Sequence, residues 1–540
     1  MAEKIKYAFS LSKSGEIVPS VVPPSGDARS LHSLIDPVRE ARRLISSVTA
    51  DTGFLIFLGL GGGFAQAAAL ENLNARILVI DFDKESVKNL FDSKDYSKII
   101  NSYRLKLLID PSDEEIKNYI KENYKPALHG GIKTIPLRAR TDLSHADFEK
   151  AVSAARTAIE EVSGDYSVQS YFGIRWFSNI IKNIKNIDKN GGGFLLKNKN
   201  TANIAIAAAG PSLDNQITLL KEKKNSGFFI ISCDTALPVL LQNKITPDAV
   251  VSIDCQHISY YHFIGVNIKN IPLILDIASP PSFYEKSASP VFFISGHPLA
   301  KYISSILGGL FQLDTSGGNV TYTCLSLAEF LGAEKIIFFG ADFSYVKSQT
   351  YAKGSYIYPY FENKQSRLSP LEAQSSALLY RSAFLPPEDK EKYIKDKSCY
   401  YETLSLRFYR KKLEEKISAI NAIVSFAKGD GAAVTINKPK SNNNEQRTKN
   451  AEIKTRDEKK ETSAKKFLEK YRDDIAALPV FTEDYNEKLN INERQVFTTL
   501  LPLAAAVKKR NPALNQKNLI EEIKNLSVKK LEKALATLTI

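Results

Sequence analysis

Four short apolar runs, each followed directly by a polar or glycine-containing turn, constrain the fold more than any other feature of the sequence. They are Asn203–Ala209, Phe228–Cys233, Ala249–Ile253 and Lys335–Phe339. Short runs that are apolar almost throughout predict strands buried on both faces, as in parallel sheets covered by helices. The carboxyl ends of parallel strands lie at one edge of a sheet, where ligands bind in open α/β folds. We therefore predict an α/β fold with its site at that edge.

The turn after the first of these strands has the composition of an anion-binding turn. It reads Gly210-Pro211-Ser212-Leu213 and leads into a helix that is expected to reach about Lys224. Glycine allows a tight turn, proline fixes φ near a helix start, and serine offers a hydroxyl there. Main-chain N–H groups at a helix N-terminus favour an anion. The lysine of a Walker phosphate loop is missing, so the pattern predicts a phosphate-binding turn of another kind.

A second turn of similar composition precedes the last of the four strands. It consists of Thr315, Ser316, Gly317, Gly318 and Asn319. An amphipathic run, Tyr322–Leu331, follows and predicts a helix. Asp234, Asp254 and Asp342 follow the second, third and fourth of these strands, respectively. They are expected at the same edge of the sheet as the first turn. Either turn taken alone is also compatible with an ordinary strand-to-helix connection.

These motifs, together with Gly340-Ala-Asp-Phe-Ser-Tyr345, resemble the central domain of motility accessory factor (Maf) proteins, which are glycosyltransferases that modify flagellin. They are similar, more distantly, to bacterial sialyltransferases that use CMP-sialic acid. In those enzymes two tyrosines six residues apart bind the donor phosphate, and Tyr345 and Tyr351 match that pair. The resemblance to Maf proteins covers most of the chain and includes a pattern typical of the segment before the central domain, formed by Arg175, Trp176, Asn179 and Asn183.

The resemblance implies transfer of a nonulosonic acid (sialic-, pseudaminic- or legionaminic-like) from a CMP-activated donor to Ser or Thr of flagellin. Tyr345 and Tyr351 would serve the leaving phosphate. The sialyltransferases carry a catalytic histidine well after the tyrosines, whereas the last histidine here is His297. The implied nucleotide-binding residues are Gly210, Pro211, Ser212, Leu213, Asp234, Thr315, Ser316, Gly317, Gly318, Asn319 and Asp342. The candidate general bases are Asp254, His257 and His262. Neither a metal nor a cofactor besides the donor is expected.

Two other functions stay open from the sequence. The archaeal hydroxymethylpterin pyrophosphokinases also resemble the central domain, and an enzyme of that class would use ATP and Mg²⁺. A flagellin-binding chaperone built on an inactive transferase fold would need no catalytic base, which agrees with the missing late histidine.

Length and composition predict three domains. Residues 1–195 are expected to form an α/β Rossmann-like domain with a helical linker, and residues 196–437 the Rossmann-like central domain with a sheet of about six strands. Residues 438–540 are expected to form a polar linker and an all-helical C-terminal domain, either an acceptor-docking module or a stabilising bundle. A glycine triplet, Gly191–Gly193, marks the first junction. We further expect a helix over Tyr400–Phe426 and a last strand near Ala432–Ile436.

The N-terminal domain carries a glycine-rich turn of its own. The run from Gly59 to Gly63 follows an apolar strand, and Asp81 ends the next one about twenty residues later. This spacing is typical of dinucleotide-binding or methyltransferase folds, in which the acid binds the ribose. The alternative is a scaffold without a ligand, which we favour because a fold does not imply a function.

Charge and cysteine content limit the partners. The net charge is +13, but lysines are spread along the chain and do not form a basic and aromatic patch, so no nucleic-acid partner is expected. The four cysteines show no paired spacing and are read as free thiols of a reducing compartment. Neither a signal-like start nor an apolar run long enough for a membrane span is found, so a cytoplasmic location is expected.

Overall fold

The structure, a computed structural model, describes residues 6–22, 28–187, 201–308, 310–381, 383–385, 400–436, 463–482 and 485–538. The chain separates into two compact units. The first contains Met1–Ile174 and Ala476–Leu526, and the second contains Arg175–Ile475 and Ser527–Ile540. The expected junction at Gly191–Gly193 and most of the expected polar linker lie outside the described residues.

The first unit begins with an antiparallel sheet and continues with a parallel one. Its strands are β1 (Lys6–Leu11), β2 (Ile17–Val22), β3 (Arg29–Ser30), β4 (Phe54–Leu58), β5 (Arg76–Asp81), β6 (Leu105–Ile109) and β7 (Ile132–Pro136). Its helices are α1 (Pro37–Ser46), α2 (Phe64–Asn72), α3 (Lys84–Ser93), α4 (Ser97–Ile100), α5 (Asp113–Asn123), α6 (Pro126–His129) and α7 (Arg138–Thr141). Helix α8 (His145–Ile187) continues into the second unit.

The parallel sheet of the first unit has the order β6-β5-β4-β7. This is the strand order of one half of a Rossmann fold, as the glycine-rich pattern predicts. Every residue of β4 is buried, because helices cover both faces of the sheet.

The second unit contains strands β8 (Asn203–Ala207), β9 (Phe229–Cys233), β10 (Ala249–Ser252), β11 (Leu273–Asp276), β12 (Pro290–Ile294), β13 (Phe311–Gln312), β14 (Lys335–Phe339), β15 (Tyr345–Val346), β16 (Phe384–Leu385), β17 (Tyr400–Thr403) and β18 (Ile423–Phe426). Its helices before the C-terminal segment are α9 (Leu213–Asn225), α10 (Leu237–Gln242), α11 (Pro298–Leu307), α12 (Val320–Phe330), α13 (Ile357–Glu362), α14 (Leu371–Leu379) and α15 (Leu404–Ala419). Short 3₁₀ turns include Asp234–Ala236, His257–Phe263 and Pro281–Lys286.

A parallel sheet organises the second unit, and within the described chain it has eight strands in the order β13-β12-β11-β10-β9-β8-β14-β18. The chain starts in the middle of this sheet at β8, extends to one side as far as β13, and then crosses to β14 on the other side of β8. The strand order therefore reverses between β8 and β14. Such a reversal opens a crevice outside the carboxyl ends of the two strands, and ligands of doubly wound sheets bind there.

Two details of the predicted central domain are wrong. Tyr400–Phe426 is not one helix, because Tyr400–Thr403 and Ile423–Phe426 are strands on either side of α15. Among the described residues the last strand is therefore Ile423–Phe426 and not Ala432–Ile436. Four apolar residues at the end of a helical pattern do not reveal by periodicity whether they continue the helix or form a strand. The predicted sheet of about six strands gains β13, which has only two residues, and β18, which the sequence pattern assigned to the end of a helix.

The described C-terminal segment is helical, as expected. Its helices are α16 (Ala464–Ala477), α17 (Tyr485–Lys488), α18 (Ile491–Thr499), α19 (Leu501–Arg510) and α20 (Gln516–Ala536). Much of this segment, Ala476–Leu526, belongs to the first compact unit. This grouping favours the stabilising bundle over a separate docking module. None of the helices in the described ranges combines the length and the apolar character that a membrane span requires.

Candidate functional site at the carboxyl edge of the second sheet

The Gly210 turn lies at the reversal of strand order and is held there by Asp342. The Gly210 N–H donates to the carbonyl of Gly340 (2.8 Å), and the Ser212 N–H donates to Oδ2 of Asp342 (2.8 Å). Asp342 is buried, and burial raises its pKa although the bonds from Ser212 lower it in part. Pro211 is buried, and Leu213 is a fully buried core residue. The predicted residues therefore meet here, and the carboxylate positions the turn from within the protein.

The loop after β18 covers the same turn, which the sequence reasoning missed. Gln216 joins the two, since its Oε1 accepts from the N–H of Gly340 (2.7 Å) and its Nε2 donates to the carbonyl of Lys428 (2.9 Å). The Asp430 N–H donates to Oγ of Ser212 (3.1 Å). A glycine stands on each side of Asp430, and this Gly-Asp-Gly sequence directly after a strand was the available signal.

The second predicted turn is closed by the residue before it and by the first turn of α12. Asn319 caps this helix, as its Oδ1 accepts from the N–H of Tyr322 (3.0 Å). The Tyr322 hydroxyl donates to Oδ2 of Asp314 (2.6 Å), and the Ser316 N–H donates to Oδ1 of Asp314 (2.9 Å). Burial by itself favours the neutral acid, but the hydrogen bonds from Tyr322 and Ser316 lower the pKa of Asp314 to about 2. Gly317 is buried where a Cβ would overlap the Tyr322 ring.

Two further residues of this turn are Thr315 and Gly318, and Gly318 lies against the ring of Tyr409. Thr315 is half-buried, and its carbonyl accepts from the N–H of Gly318 (3.0 Å). Gly318 has a φ of 71°, and a Cβ there would lie 3.1 Å from the ring of Tyr409. In the first turn of α12, Oγ1 of Thr321 lies 3.6 Å from Sγ of Cys233, the last residue of β9. The N-terminus of α12 therefore reaches the end of β9.

Asp234 is buried at the end of β9 and uses both carboxylate oxygens. Its Oδ1 accepts from the N–H of Thr235 (2.7 Å), and its Oδ2 accepts from the hydroxyl of Ser252 (2.7 Å). Nδ1 of His262 lies 3.2 Å from Oδ2 without the alignment of a hydrogen bond. The structure thus pairs a buried histidine with a buried carboxylate at the edge of the sheet.

Asp254 lies beside this pair and is more accessible. Its Oδ1 accepts from the N–H of Gln256 (2.8 Å). Burial raises the pKa of Asp254, the bond from Gln256 lowers it, and the nearby Asp234 raises it further. His257, in contrast, is exposed at the start of its 3₁₀ turn. Of the two histidines after β10, only His262 is packed against the other predicted residues.

The loop that carries Tyr351 is fastened to the Gly210 turn. The N–H of Ala352 donates to the carbonyl of Ala209 (2.9 Å). Tyr351 and Tyr356 are hydrogen-bonded through their side chains, and their ring centroids are 5.9 Å apart. The ring centroid of Tyr356 lies 4.4 Å from that of His262. A chain of contacts therefore connects Tyr351 to the histidine–carboxylate pair.

Tyr345 completes this group. Burial raises the pKa of Tyr351, and Tyr356 and Tyr345 raise it further, so the two predicted tyrosines lie near each other. Burial also raises the pKa of Tyr345, with a contribution from Tyr409. Both hydroxyls stay protonated at neutral pH and are hydrogen-bond donors. Tyr409 was not predicted, and only tertiary packing reveals it.

Asn179 and Asn183 of α8 hold the loop after β11 by side-chain hydrogen bonds. Nδ2 of Asn179 donates to the carbonyl of Ala278 (2.8 Å). Nδ2 of Asn183 donates to the carbonyls of Ile277 and Ser279, the two neighbours of Ala278 (2.8 Å each). These amides therefore fix the loop after β11, which explains their spacing of four residues on one face of the helix.

A buried carboxyl group ends β11. Oδ1 of Asp276 accepts from the N–H of Ala278 (2.7 Å), and Ser295 donates to the same side chain. Burial raises the pKa of Asp276 to about 6 in spite of these bonds.

In the first unit, side chains of the protein itself form hydrogen bonds with the main-chain N–H groups of the glycine-rich turn and an ion pair with Asp81. Asp81 is buried, its Oδ2 accepts from the N–H of Leu60 (2.7 Å), and its Oδ1 lies 2.9 Å from the Arg140 guanidinium. The Gly62 N–H donates to Nε2 of His32 (2.8 Å). In a dinucleotide-binding fold such an N–H approaches the pyrophosphate, and such an acid binds the ribose. These contacts support the scaffold interpretation of this turn.

The comparisons with known proteins include a family model that matches part of the chain and a solved structure with a similar fold. The family model described as 6-hydroxymethylpterin diphosphokinase MptE-like matches residues 178–348. A solved Maf glycosyltransferase from Magnetospirillum magneticum AMB-1 superposes with a TM-score of 0.55 and 14% identity, over 99% of this chain and 92% of that chain. The resemblance to Maf proteins and the α/β fold class are thereby confirmed at the level of the fold.

Three proteins of Treponema pallidum (strain Nichols), each described as uncharacterized, match in sequence. The first is 40% identical over 116 residues, which are 21% of this chain and 41% of that protein. The second is 30% identical over 169 residues, or 31% of this chain and 78% of that protein. The third is 30% identical over 157 residues, or 28% of this chain and 27% of that protein. The chain thus spans less than half the length of the first and third relatives.

Proposed function

We propose that this chain, which belongs to the same family as the Treponema pallidum protein matched over 78% of its length, is a glycosyltransferase. Its donor is a CMP-activated nonulosonic acid, and its acceptor is a Ser or Thr hydroxyl of flagellin. The observation that carries the proposal is that the loop of Tyr351 is hydrogen-bonded to the Gly210 turn at the carboxyl edge of the sheet, the edge at which Asp254 follows β10, in a chain with the fold of a Maf glycosyltransferase.

In this proposal the two turns bind the nucleotide. Helix α12 points its N-terminus toward this edge, and the N–H groups of Val320 and Thr321 precede its first intrahelical hydrogen bond, from Thr323 to Asn319. A helix start of this kind suits the phosphate of CMP. Asp342 and Gln216 hold the Gly210 turn in a fixed position, so its shape is formed before the donor arrives.

The transfer step divides the remaining work between the tyrosines and a carboxylate. The acceptor oxygen attacks the anomeric carbon, the bond between that carbon and the phosphate oxygen breaks, and CMP leaves with the electron pair. Tyr345 and Tyr351 donate to the phosphate as charge develops on it. Asp254 takes the acceptor proton, because it is the more accessible acid and burial raises its pKa toward neutrality. Asp234 and His262 fix its surroundings.

Nucleotide binding tests the donor class. CMP and CTP should raise the melting temperature of the purified protein more than UDP or ATP with Mg²⁺, because a ligand of the native state stabilises it by mass action. Intact-mass measurement of co-expressed flagellin then tests transfer. Asp254→Asn should abolish the added mass while CMP still stabilises the variant. Comparing His257→Asn and His262→Asn in the same assay decides which group is the base, and full modification by Asp254→Asn would remove Asp254 from that role.

A second candidate function is favoured by the family match over residues 178–348. A 6-hydroxymethylpterin diphosphokinase would transfer diphosphate from ATP with Mg²⁺. In the described ranges, no group of three or more His, Cys, Asp or Glu side chains is spaced to hold a metal ion. Stabilisation by ATP with Mg²⁺ and none by cytidine nucleotides would select this function over the first.

A further inference from the structure

A cavity of about 40 Å³ lies within the first unit, away from the glycine-rich turn. Arg76, which lines it, is the first residue of β5, so the cavity is at the amino-terminal edge of the parallel sheet. The glycine-rich turn follows the carboxyl end of β4 and therefore lies at the opposite edge. The C-terminal helices α17 and α20 contribute part of the wall through Tyr485 and Gln516.

The wall is rich in hydrogen-bond donors. Arg76 at the start of β5 and Arg104, the residue before β6, bring two guanidinium groups. Nη1 of Arg104 donates to the carbonyl of Leu73 (2.6 Å), and Nη2 donates to that of Leu70. Both carbonyls are neutral, so these hydrogen bonds do not offset the positive charge. Burial lowers the pKa of Arg76, and the nearby Arg494 lowers it further. Positive charge is therefore concentrated around this space.

His129 adds a donor of known tautomer. It is buried, and its Nδ1 accepts from the N–H of Lys125 (2.9 Å). Burial lowers the pKa of His129 to about 3, and Arg76 and Lys125 add to the effect, so the ring is neutral. With Nδ1 acting as acceptor, the single ring proton is on Nε2.

Tyr485 supplies the observation that points to a ligand. Its side chain is 3% exposed, and its hydroxyl is buried with no hydrogen-bond partner among the described residues. Burial and the nearby Glu493 raise the pKa of Tyr485 to about 12, so the hydroxyl keeps its proton. A buried donor without an acceptor is costly, and native proteins seldom leave one unsatisfied.

We propose that this cavity is a binding site for a small tetrahedral oxyanion of the phosphate or sulfate class. Four residues that carry hydrogen-bond donors line it, and they come from four separate segments of the chain: Arg76, Arg104, His129 and Tyr485. A tetrahedral anion offers acceptors in several directions at once, whereas a carboxylate offers them in one plane. The volume is on the order of a few water molecules, which suits a small anion. The site is independent of the proposed donor site, which belongs to the second unit.

Titration of the full chain with inorganic phosphate tests the proposal. The melting temperature and calorimetric binding are measured at constant ionic strength, with chloride replaced stepwise by phosphate, sulfate or acetate. Phosphate and sulfate should bind and raise the melting temperature, and acetate should bind more weakly. Tyr485→Phe removes the hydroxyl and keeps the ring, so the variant should fold and bind phosphate about tenfold more weakly, the loss of one hydrogen bond to a charged group. Arg76→Gln should lose at least as much.

The matched control is Tyr7→Phe, which removes another buried hydroxyl of the same unit away from the cavity. It should bind phosphate as the wild type does. Equal binding by Tyr485→Phe and the wild type overturns the proposal, because phosphate then binds elsewhere. Absence of any phosphate-dependent shift overturns it as well. Acetate binding as tight as phosphate overturns the tetrahedral preference.

Discussion

Gly210→Ala is the substitution for which the structure gives the most direct expectation. A Cβ at this position would lie 2.9 Å from Cγ of Asp342 and would overlap both the carboxylate and the carbonyl oxygen of Gly340. The carbonyl belongs to the main chain next to β14 and has no room to move. The carboxylate must therefore turn away, and with it goes the hydrogen bond from the Ser212 N–H.

The magnitude follows from these two losses. A buried hydrogen bond to a charged group contributes about 1.5–3 kcal/mol. Forcing an extra methyl group into a packed region costs about 1–3 kcal/mol. Alanine also reduces the conformational entropy of the unfolded chain, which stabilises the folded state by about 0.4–1 kcal/mol. We therefore expect Gly210→Ala to lower the free energy of unfolding by about 2–5 kcal/mol, and to weaken CMP binding because the turn shifts.

The chain has a suitable reporter for this measurement. Its single tryptophan, Trp176, belongs to the second unit and packs edge-on against His297, with ring centroids 5.5 Å apart. Urea unfolding followed by tryptophan fluorescence therefore reports the unit that contains Gly210. The matched control is Gly296→Ala, since Gly296 follows β12 at the same edge of the sheet and a Cβ there meets nothing within 4 Å. The control should keep the wild-type free energy of unfolding within about 0.5–1 kcal/mol. Equal midpoints for the two variants would falsify the argument from the Asp342 contact.

Three further predictions concern other sites. Tyr345→Phe and Tyr351→Phe should each slow transfer by roughly ten- to a thousandfold with CMP affinity nearly unchanged, and the double variant should lose less than the product, as measured by flagellin intact mass over time. Asp276 has a pKa of about 6 in the folded protein, above its unfolded value, so its carboxyl group destabilises the fold increasingly as pH rises from 4 to 6. Asp276→Asn should therefore be more stable than the wild type by about 3 kcal/mol at pH 7, with no gain below pH 4, and an equal difference at both pH values would contradict this. In α8, Gly164→Ala meets nothing within 4 Å and should stabilise the first unit by about 0.5–1 kcal/mol, whereas Gly173→Ala would overlap the Pro502 carbonyl and should destabilise it in thermal unfolding.

The sequence alone determined the fold class and most of the strand ends at the candidate site. Runs such as Phe229–Cys233 are apolar at all but one position because helices cover both faces of a parallel sheet, and this pattern is readable without a structure. The cap residue Asn319 is readable for a local reason, since its side chain accepts from the N–H of Tyr322 in the first turn of the helix. These features depend on neighbours in the chain.

Only the tertiary structure decided which polar groups meet. Asp342 and Ser212 are 130 residues apart and join because β14 and β8 are adjacent strands. The role of Gln216 depends on the loop after β18, more than 200 residues away, and nothing in its own surroundings predicts it. His262 and His257 share one short turn, yet packing buries the first beside Asp234 and leaves the second exposed.

The same reasoning explains the glycine-rich turn of the first unit. Its spacing predicts a nucleotide-binding fold, and the strand order β6-β5-β4-β7 agrees with that prediction. Whether a ligand binds there depends on what fills the turn. His32, which accepts the Gly62 N–H, comes from a segment before the sheet that no motif connects to it. Local pattern therefore fixes the backbone of a site, and its occupancy is set by side chains that only the folded chain brings close.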